Sequence, residues 1–276
     1  MSSNLSPFPI ASFLQLAQRE IFIEFGHTTR IGRQSAVQFG RNPDMPLLGE
    51  EMIWSYGGNE TLLSANTINT VSSADAAATQ NVLISGHTFG ADGFTFVQQM
   101  VTLNGQSKVT LETPLARAQF ARCMSPEGLA DDVFIYEDSA ITNGIPDDST
   151  KVHNFIEGGI NQASKAMLTI PKGAYFVLTR LWAFAERSAS GTANINYRVK
   201  PFNGCETVAG SGAVNTGAGF ELDLTPFVVI PPNTDLWLTG IAGTNNMDIA
   251  GGLMGFYAEI VENNATLTSE GYIIQD

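Results

Sequence analysis

Apolar and polar residues alternate along much of this chain, most regularly over residues 192–202. Their side chains fall on opposite sides of an extended strand: Ala193, Ile195, Tyr197 and Val199 against Thr192, Asn194, Asn196, Arg198 and Lys200. A strand with a period of two buries one face and leaves the other in water. The pattern therefore predicts a half-buried β-strand here.

Further short runs of β-branched and aromatic residues predict strands before and after this one. The predicted ranges are 68–73, 81–85, 94–103, 108–112, 118–124, 133–137, 166–170, 174–186, 220–229, 235–241 and 253–261. Short strands at close spacing are typical of antiparallel β-sandwiches. The predicted core of the second half comprises Phe176, Leu178, Trp182, Phe184, Trp237, Met254 and Phe256.

Glycine, proline and asparagine mark the connections between these strands. Asn104-Gly105 suits a two-residue turn, and we predict a hairpin of 98–103 with 106–111. Residues 151–165 are interpreted as a linker, and the Gly/Ser-rich range 209–219 as a loop. Strands that end in Ile-Pro at Pro171 and Pro231 are typical of chains that cross a sheet edge in a jelly roll.

The chain ends differ from this pattern. Residues 12–18 have the capping chemistry and apolar spacing of a short helix, and Arg30, Arg33 and Arg41 follow within an irregular stretch. We interpret 1–49 as an extended N-terminal arm, 50–150 as a first antiparallel β-sandwich, 151–262 as a second, jelly-roll-like sandwich, and 263–276 as a tail. The fold class is thus all-β. Candidate interaction residues are Phe13, Leu14, Arg30, Arg33 and Arg41 in the arm and Tyr272 and Ile273 in the tail.

Charge narrows the range of partners. The 276 residues include 27 acidic and 14 basic ones, for a net charge of −13. Nucleic acid and anionic membrane surfaces are unfavourable partners, because both are bound by neutralising phosphates with Lys and Arg. Charged residues make up only 15% of the chain, against about 25% in typical domains. This deficit fits either a subunit that buries its flanks against neighbours or a β-protein with a neutral polar surface.

The sequence offers little for catalysis or metal binding. Three isolated histidines (His27, His87 and His153) lack zinc-ligand spacing and are interpreted as turn or surface residues. The two cysteines, Cys123 and Cys205, are interpreted as separate buried thiols, although one disulfide is the alternative. Acidic doublets at 131–132, 137–138 and 147–148 suit calcium or paired-carboxylate chemistry, but solvated loops are the simpler interpretation. We predict no cofactor, no metal and no enzymatic activity.

Several segments resemble structural proteins of tailed bacteriophages. The segment Gly40-Arg41-Asn42-Pro43-Asp44 precedes an acidic-Met-Ile-Trp stretch that ends at Trp54, and then Gly57-Gly58. The resemblance continues at 70–73, 101–105, 170–173 and 198–202, so that it covers about residues 40–262. It implies a virion component, on the capsid exterior or at the neck or tail, and it supplies no catalytic residues.

The resulting expectation is a non-enzymatic virion subunit assembled in the host bacterial cytoplasm. It would form symmetric homo-oligomers and contact other capsid, neck or tail proteins, without binding nucleic acid or a membrane. The alternative is a receptor- or carbohydrate-binding module of the tail, in which Trp54 or Tyr56 stacks on sugar rings unless both belong to the core. A depolymerase that uses the acidic doublets is the third possibility.

Overall fold

The computed structural model describes residues 33–186, 191–244 and 247–259, and this part of the chain is almost entirely β-structure. The one helical element in it is a short 3-10 turn, Ser149–Lys151. The strands are β1 Arg33–Met45, β2 Glu50–Met52, β3 Ile68–Ser73, β4 Asn81–Gly90, β5 Gly93–Thr102, β6 Val109–Leu115, β7 Arg117–Cys123, β8 Val133–Glu137, β9 Ile141–Thr142, β10 Ile145–Pro146, β11 Val152–Ile156, β12 Met167–Ile170, β13 Ala174–Glu186, β14 Thr192–Pro201, β15 Thr207–Asn215, β16 Gly219–Ile230, β17 Thr234–Ala242 and β18 Met247–Glu259. The predicted all-β class is confirmed.

Eight of these strands form a jelly roll. The sheet β1-β18-β13-β16 lies against the sheet β12-β17-β14-β15. With β1 counted as the first strand and β12 to β18 as the second to eighth, the sheets run 1-8-3-6 and 2-7-4-5, which is the wrapping of a jelly roll. Leu168, Phe176, Ile195, Leu236 and Leu253 are among the residues of the core between the sheets.

The other sandwich is inserted into the jelly roll between β1 and β12. Its sheets are β11-β8-β3-β6 and β5-β4-β7, with β9 and β10 as a small separate pair. Its own core contains Ile68, Val82, Leu115, Ile135 and Ile156. A third apolar cluster, which includes Trp54, Phe134 and Trp237, joins residues of both sandwiches.

The arm predicted for residues 1–49 needs correction, because β1 belongs to the jelly roll. It pairs antiparallel with β18 from Arg33 opposite Ala258 to Met45 opposite Met247, with a register shift after Asn42. The strand was missed because its partner lies more than 200 positions away and the shift interrupts its period. The predicted helix at 12–18 and tail at 263–276 lie outside the described residues.

The hairpin predicted around Asn104-Gly105 is wrong, although the turn itself forms. Ser107 donates its N–H to the Asn104 carbonyl at 3.0 Å, and Gly105 has a φ of +55°. However, β5 pairs with β4, whereas β6 pairs with β3 in the opposite sheet. The turn therefore carries the chain across the sandwich, and the hairpin is β4–β5, closed by Gly90 opposite Gly93.

Two segments predicted to be irregular are strands. Residues 207–215 within and before the predicted loop form β15, which pairs with β14, and Val214 is buried in the jelly-roll core. Within the predicted linker, all five residues of β11 are buried. Glycine lowers the intrinsic strand preference of β15, but pairing with β14 outweighs that preference. Three of the five residues of β11 are Val, Phe and Ile, which favour strands.

Candidate functional site

The jelly roll leaves part of one apolar sheet face exposed, beside a buried cluster of Val177 and Phe256 on the same side. In β13, alternate residues such as Phe176 and Leu178 point into the core, whereas Tyr175 and Phe184 point away and are 40% and 37% exposed. Neighbouring strands add Val37, which is 59% exposed, and Val229. We call this surface the outer face; its residues are Val37, Phe39, Tyr175, Trp182, Phe184, Val229 and Met254.

Three outer-face residues are among those that the sequence pattern predicts as core. Trp182, Phe184 and Met254 lie at least partly in solvent, while the other four predicted core residues are buried: Phe176, Leu178, Trp237 and Phe256. The strand β13 is apolar on both faces, a pattern typical of strands that are covered on both sides. Among the described residues, one side of β13 is fully buried and the other leaves Tyr175 and Phe184 exposed.

Two aromatic rings form the centre of the outer face. Phe39 and Trp182 stack with their ring centroids 5.6 Å apart and their planes 18° from parallel. Strand β18 lies between β1 and β13, and its Gly252 is the register partner of both Phe39 and Trp182. A Cβ atom at Gly252 would lie 2.6 Å from the indole of Trp182. The glycine therefore allows the indole to rest on the sheet.

A shallow depression of about 520 Å³ opens beside Trp182. Its lining combines the apolar side chains of Val37 and Phe184 with the charged groups of Arg180 and Glu221. Arg180 forms ion pairs with Glu221 and with Asp223, the latter at 2.7 Å. These exposed pairs place both signs of charge at the rim of an apolar surface, an arrangement that is common at protein interfaces.

Of the candidate interaction residues predicted in the arm and tail, the structure describes only Arg33 and Arg41. Arg33 begins β1, opposite Ala258. Arg41 forms an ion pair with Asp248 at 2.6 Å across the β1–β18 ladder, and the hydrogen bond to this carboxylate raises the pKa of Arg41. The other candidate interaction residues lie outside the described residues: Phe13, Leu14, Arg30, Tyr272 and Ile273. Their predicted roles stay predictions.

A buried ion pair links the two segments that connect the inserted sandwich to the jelly roll. The Nζ atom of Lys165 lies 2.6 Å from Oε2 of Glu60, and both side chains are almost wholly buried. Nζ also donates to the carbonyls of Ala118 and His153, at 3.1 and 2.7 Å. Burial alone would raise the pKa of Glu60, but Lys165 and His153 outweigh it and hold that pKa below its usual value. Both ring nitrogens of His153 face carboxylates, from Glu60 at 3.2 Å and Glu137 at 3.3 Å.

A second buried ion pair lies across the same boundary. The guanidinium of Arg117 in β7 binds the carboxylate of Asp235 in β17, with Nη2 and Oδ2 2.8 Å apart. Arg117 also donates to the carbonyl of Leu63, and Thr169 donates its hydroxyl to Asp235. Every one of these charges has a partner within the chain, so the cluster is a structural connection between the sandwiches.

A polar cleft of about 400 Å³ lies beside this boundary. Within it, Arg198 binds both Glu50 and Glu206, and Asn196 and Thr239 also donate to Glu50. Burial acts to raise the pKa of Glu50. The hydrogen bonds to its carboxylate, first of all that from Arg198, have the larger effect and lower the pKa to about 2. Glu50 is therefore ionised near neutral pH and cannot serve there as the general acid of a glycosidase.

The acidic doublets make separate local contacts. Asp148 accepts from Thr150 at the 3-10 turn, Asp138 pairs with Lys108, and Asp132 accepts from the Gly158 N–H. Across the described ranges, no group of three His, Cys, Asp or Glu residues has the arrangement of a metal site. No helix in that part of the chain is long and apolar enough to cross a bilayer.

Several predictions about single side chains were wrong. His87 and His153 are fully buried in strands rather than at turns or on the surface, and His27 lies outside the described residues. Cys123 is buried as predicted, but Cys205 is exposed, and both are free thiols.

Trp54 and Tyr56 pack with Phe134 and Phe155 in the cluster between the sandwiches, and Trp54 is buried. The interpretation of these two aromatic residues as core is therefore confirmed.

Comparisons with known proteins add a few distant structural matches. No protein-family model matches the chain, and no curated protein does. A structure of infectious bursal disease virus (Gt strain) aligns over 86% of this chain and 75% of its own, at 12% identity and a TM-score of 0.21. The tandem CBM22 domains of Paenibacillus barcinonensis Xyn10C align over 84% and 95%, at 10% identity and 0.23. Sulfolobus turreted icosahedral virus aligns over 86% and 97%, at 7% identity and 0.14. Because these scores are so low, we draw the function from the residues of the chain itself.

Proposed function

We propose that this chain is a structural subunit of a virus particle, one that packs against neighbouring subunits through its outer face. The carrying observation is the exposed apolar surface around Phe39 and Trp182, which the described chain leaves uncovered. Apolar patches of this kind, rimmed by polar groups, mark protein–protein contacts. Jelly rolls are also a common build of capsid proteins, although fold alone decides no function.

The particular role we propose is that of a tailed-phage virion component, without enzymatic activity, at the capsid surface or at the neck or tail. It is supported by the resemblance of residues 40–58 and the later strand and turn segments to tailed-phage structural proteins. The net charge of −13 supports protein partners rather than nucleic acid. Location of the chain in an intact particle by electron microscopy tests this role directly.

Charging the outer face should weaken self-association. In the double variant Val37→Lys and Phe184→Lys, two exposed apolar side chains become cations that any contact would have to desolvate. We expect the dissociation constant of the purified oligomer to rise at least about tenfold, or about 1.4 kcal/mol, as measured by light scattering on a dilution series.

The matched control is Met100→Lys, which changes an exposed apolar residue on β5 of the inserted sandwich. This control should leave association unchanged, and circular dichroism should show a native β spectrum for both proteins. An outer-face variant that associates as tightly as the control would contradict the role of this surface.

Carbohydrate binding is the second candidate function, favoured by the depression beside Trp182. An aromatic surface next to paired charged side chains suits a neutral sugar, which offers both an apolar ring face and hydroxyl groups. If this function holds, glycan-array binding by the native chain should fall at least about tenfold in Trp182→Ala and persist in Trp54→Ala, provided that the latter folds. Absence of array binding by the native chain would leave subunit packing as the better explanation of the outer face.

A further inference from the structure

The jelly roll has one strand edge that carries none of the usual protection. β15 ends the sheet β12-β17-β14-β15, and its residues are exposed except for Gly212 and Val214. The strand contains no charged residue and no proline. Unpaired backbone groups on such an edge readily pair with another strand, and proteins normally block them with charge, proline or cover.

The opposite edge of the same sheet is covered. There β12 lies against the inserted sandwich, where the Thr169 N–H donates to the Gln119 side chain at 3.1 Å. The edge at β15 has no such neighbour in the described chain, and the adjoining strand β16 also exposes Leu222. One flank of the jelly roll is therefore closed from within, and the other is open.

The sequence of β15 reads the same in both directions about Ser211. Residues 208–214 are Val-Ala-Gly-Ser-Gly-Ala-Val. In an antiparallel ladder centred on Ser211, each residue would face an identical residue of a second copy: Val208 opposite Val214, Ala209 opposite Ala213, and Gly210 opposite Gly212. Such a pairing obeys the two-fold symmetry of an isologous contact.

We infer that β15 pairs antiparallel with β15 of a second copy of this chain, across a two-fold axis at Ser211. This inference rests on the proposed function as a self-associating subunit and names a second contact for it. The pairing would join two five-stranded sheets, each with β2 paired to β17, into one continuous sheet of ten. No like charges meet at the axis, because the strand has none.

Gly210 agrees with this inference. A Cβ atom added there would meet nothing within 4 Å, so the fold of a single chain does not require glycine at this position. Glycine weakens a strand interior and often marks the close approach of another backbone. The register shift of β15 lies at Ala209, between Gly210 opposite Tyr197 and Val208 opposite Arg198. The ladder with β14 is regular from Gly210 to Asn215, so Gly210, Ser211 and Gly212 form the centre of the proposed pairing and Val208 lies beyond the bulge.

Disulfide trapping tests the axis. In an antiparallel pair, directly opposed Cα atoms lie about 4.5–5.5 Å apart, within the range of a disulfide. We expect Ser211→Cys, made in a Cys205→Ser background to remove the exposed native thiol, to form a covalent dimer under mild oxidation. In the control Val208→Cys in the same background, the two thiols would lie six positions apart along the ladder, about 20 Å, and should not link.

The readout is the dimer fraction on a non-reducing gel at low protein concentration, at least about tenfold higher for S211C than for V208C. Equal trapping of both variants, or of neither, would overturn the inference. A second variant, Ser211→Lys, places two cations at the axis and should remove the contact.

Repeating the trapping with Val37→Lys and Phe184→Lys separates the two surfaces. If S211C still links there while larger assemblies are lost, both contacts stand. If S211C fails but the outer-face variants change assembly, only the contact at β15 falls. If S211C links and the outer-face variants change nothing, the outer face loses its proposed role instead.

Discussion

Replacing Lys165 with methionine is expected to lower the free energy of unfolding by about 3–5 kcal/mol, the usual result of leaving one buried charge without its partner. Methionine matches the length of the lysine side chain, so the change removes the charge with little loss of packing. It leaves Glu60 fully buried with only His153 beside it. The two carbonyls that accept from Nζ, on Ala118 and His153, lose that donor as well.

Urea denaturation followed by tryptophan fluorescence measures the loss, since Trp54 lies in the cluster that joins the sandwiches and 5.4 Å from Lys165 Nζ. The matched control is Lys108→Met, which removes an exposed lysine paired with Asp138 and should change the midpoint little. The double variant Lys165→Met with Glu60→Gln should be more stable than the single one, because no unpaired carboxylate remains. A single variant as stable as the control would show that the buried pair contributes little to the stability of the fold.

This cluster illustrates what the sequence could not predict. Lys165 and Glu60 lie more than 100 positions apart, and nothing in the local pattern around either distinguishes it from a solvated surface charge. The same reason explains the error at β1, whose partner β18 lies far along the chain. It also explains the errors at His87 and His153, because a polar side chain is assigned to the surface when its distant neighbours are unknown. Strand pairing and burial depend on residues far along the chain, and the local periodicity of a segment carries no information about those residues.

Local signals succeeded where a strand is bounded by turn residues on both sides. β3, β8 and β13 have the limits predicted for them, 68–73, 133–137 and 174–186. The period of two in β14 also correctly separated the core residues Ala193, Ile195 and Tyr197 from their polar neighbours. The predicted sandwich class follows from such strands, because a half-buried strand requires an opposing sheet.

The outer face was visible in the sequence but was interpreted as core. Tyr175 and Trp182 alternate with Phe176 and Leu181 along β13, so both faces of the strand are apolar. Local pattern shows that both faces avoid water, but it does not show whether the cover comes from the same chain or from another. The topology places β13 between β18 and β16 in one sheet of the jelly roll, so that one face of the strand lies in the core and the other on the outer face.

Acidification is expected to destabilise the fold through His87. Its side chain is 1% exposed in β4, between the rings of Phe94 and Phe96, and neither ring nitrogen has a hydrogen-bond partner within the described ranges. Burial, helped by the charge of Arg117, lowers the pKa of His87 to about 3, against about 6.5 in an unfolded chain. Below pH 6.5 the unfolded chain therefore binds a proton that the folded chain refuses, so stability falls as the pH falls towards 3.

The expected loss between pH 6 and pH 4 is about 2–3 kcal/mol, since linkage gives about 1.4 kcal/mol per pH unit for one proton. Other groups titrate in the same range, so the measurement is the difference between the native chain and His87→Leu in urea midpoints at each pH. The leucine variant should retain more of its stability at pH 4, because it has no proton to bind at this position. Parallel pH profiles for the two proteins would mean that the folded chain protonates His87 after all, for which the space between Phe94 and Phe96 would have to open to water.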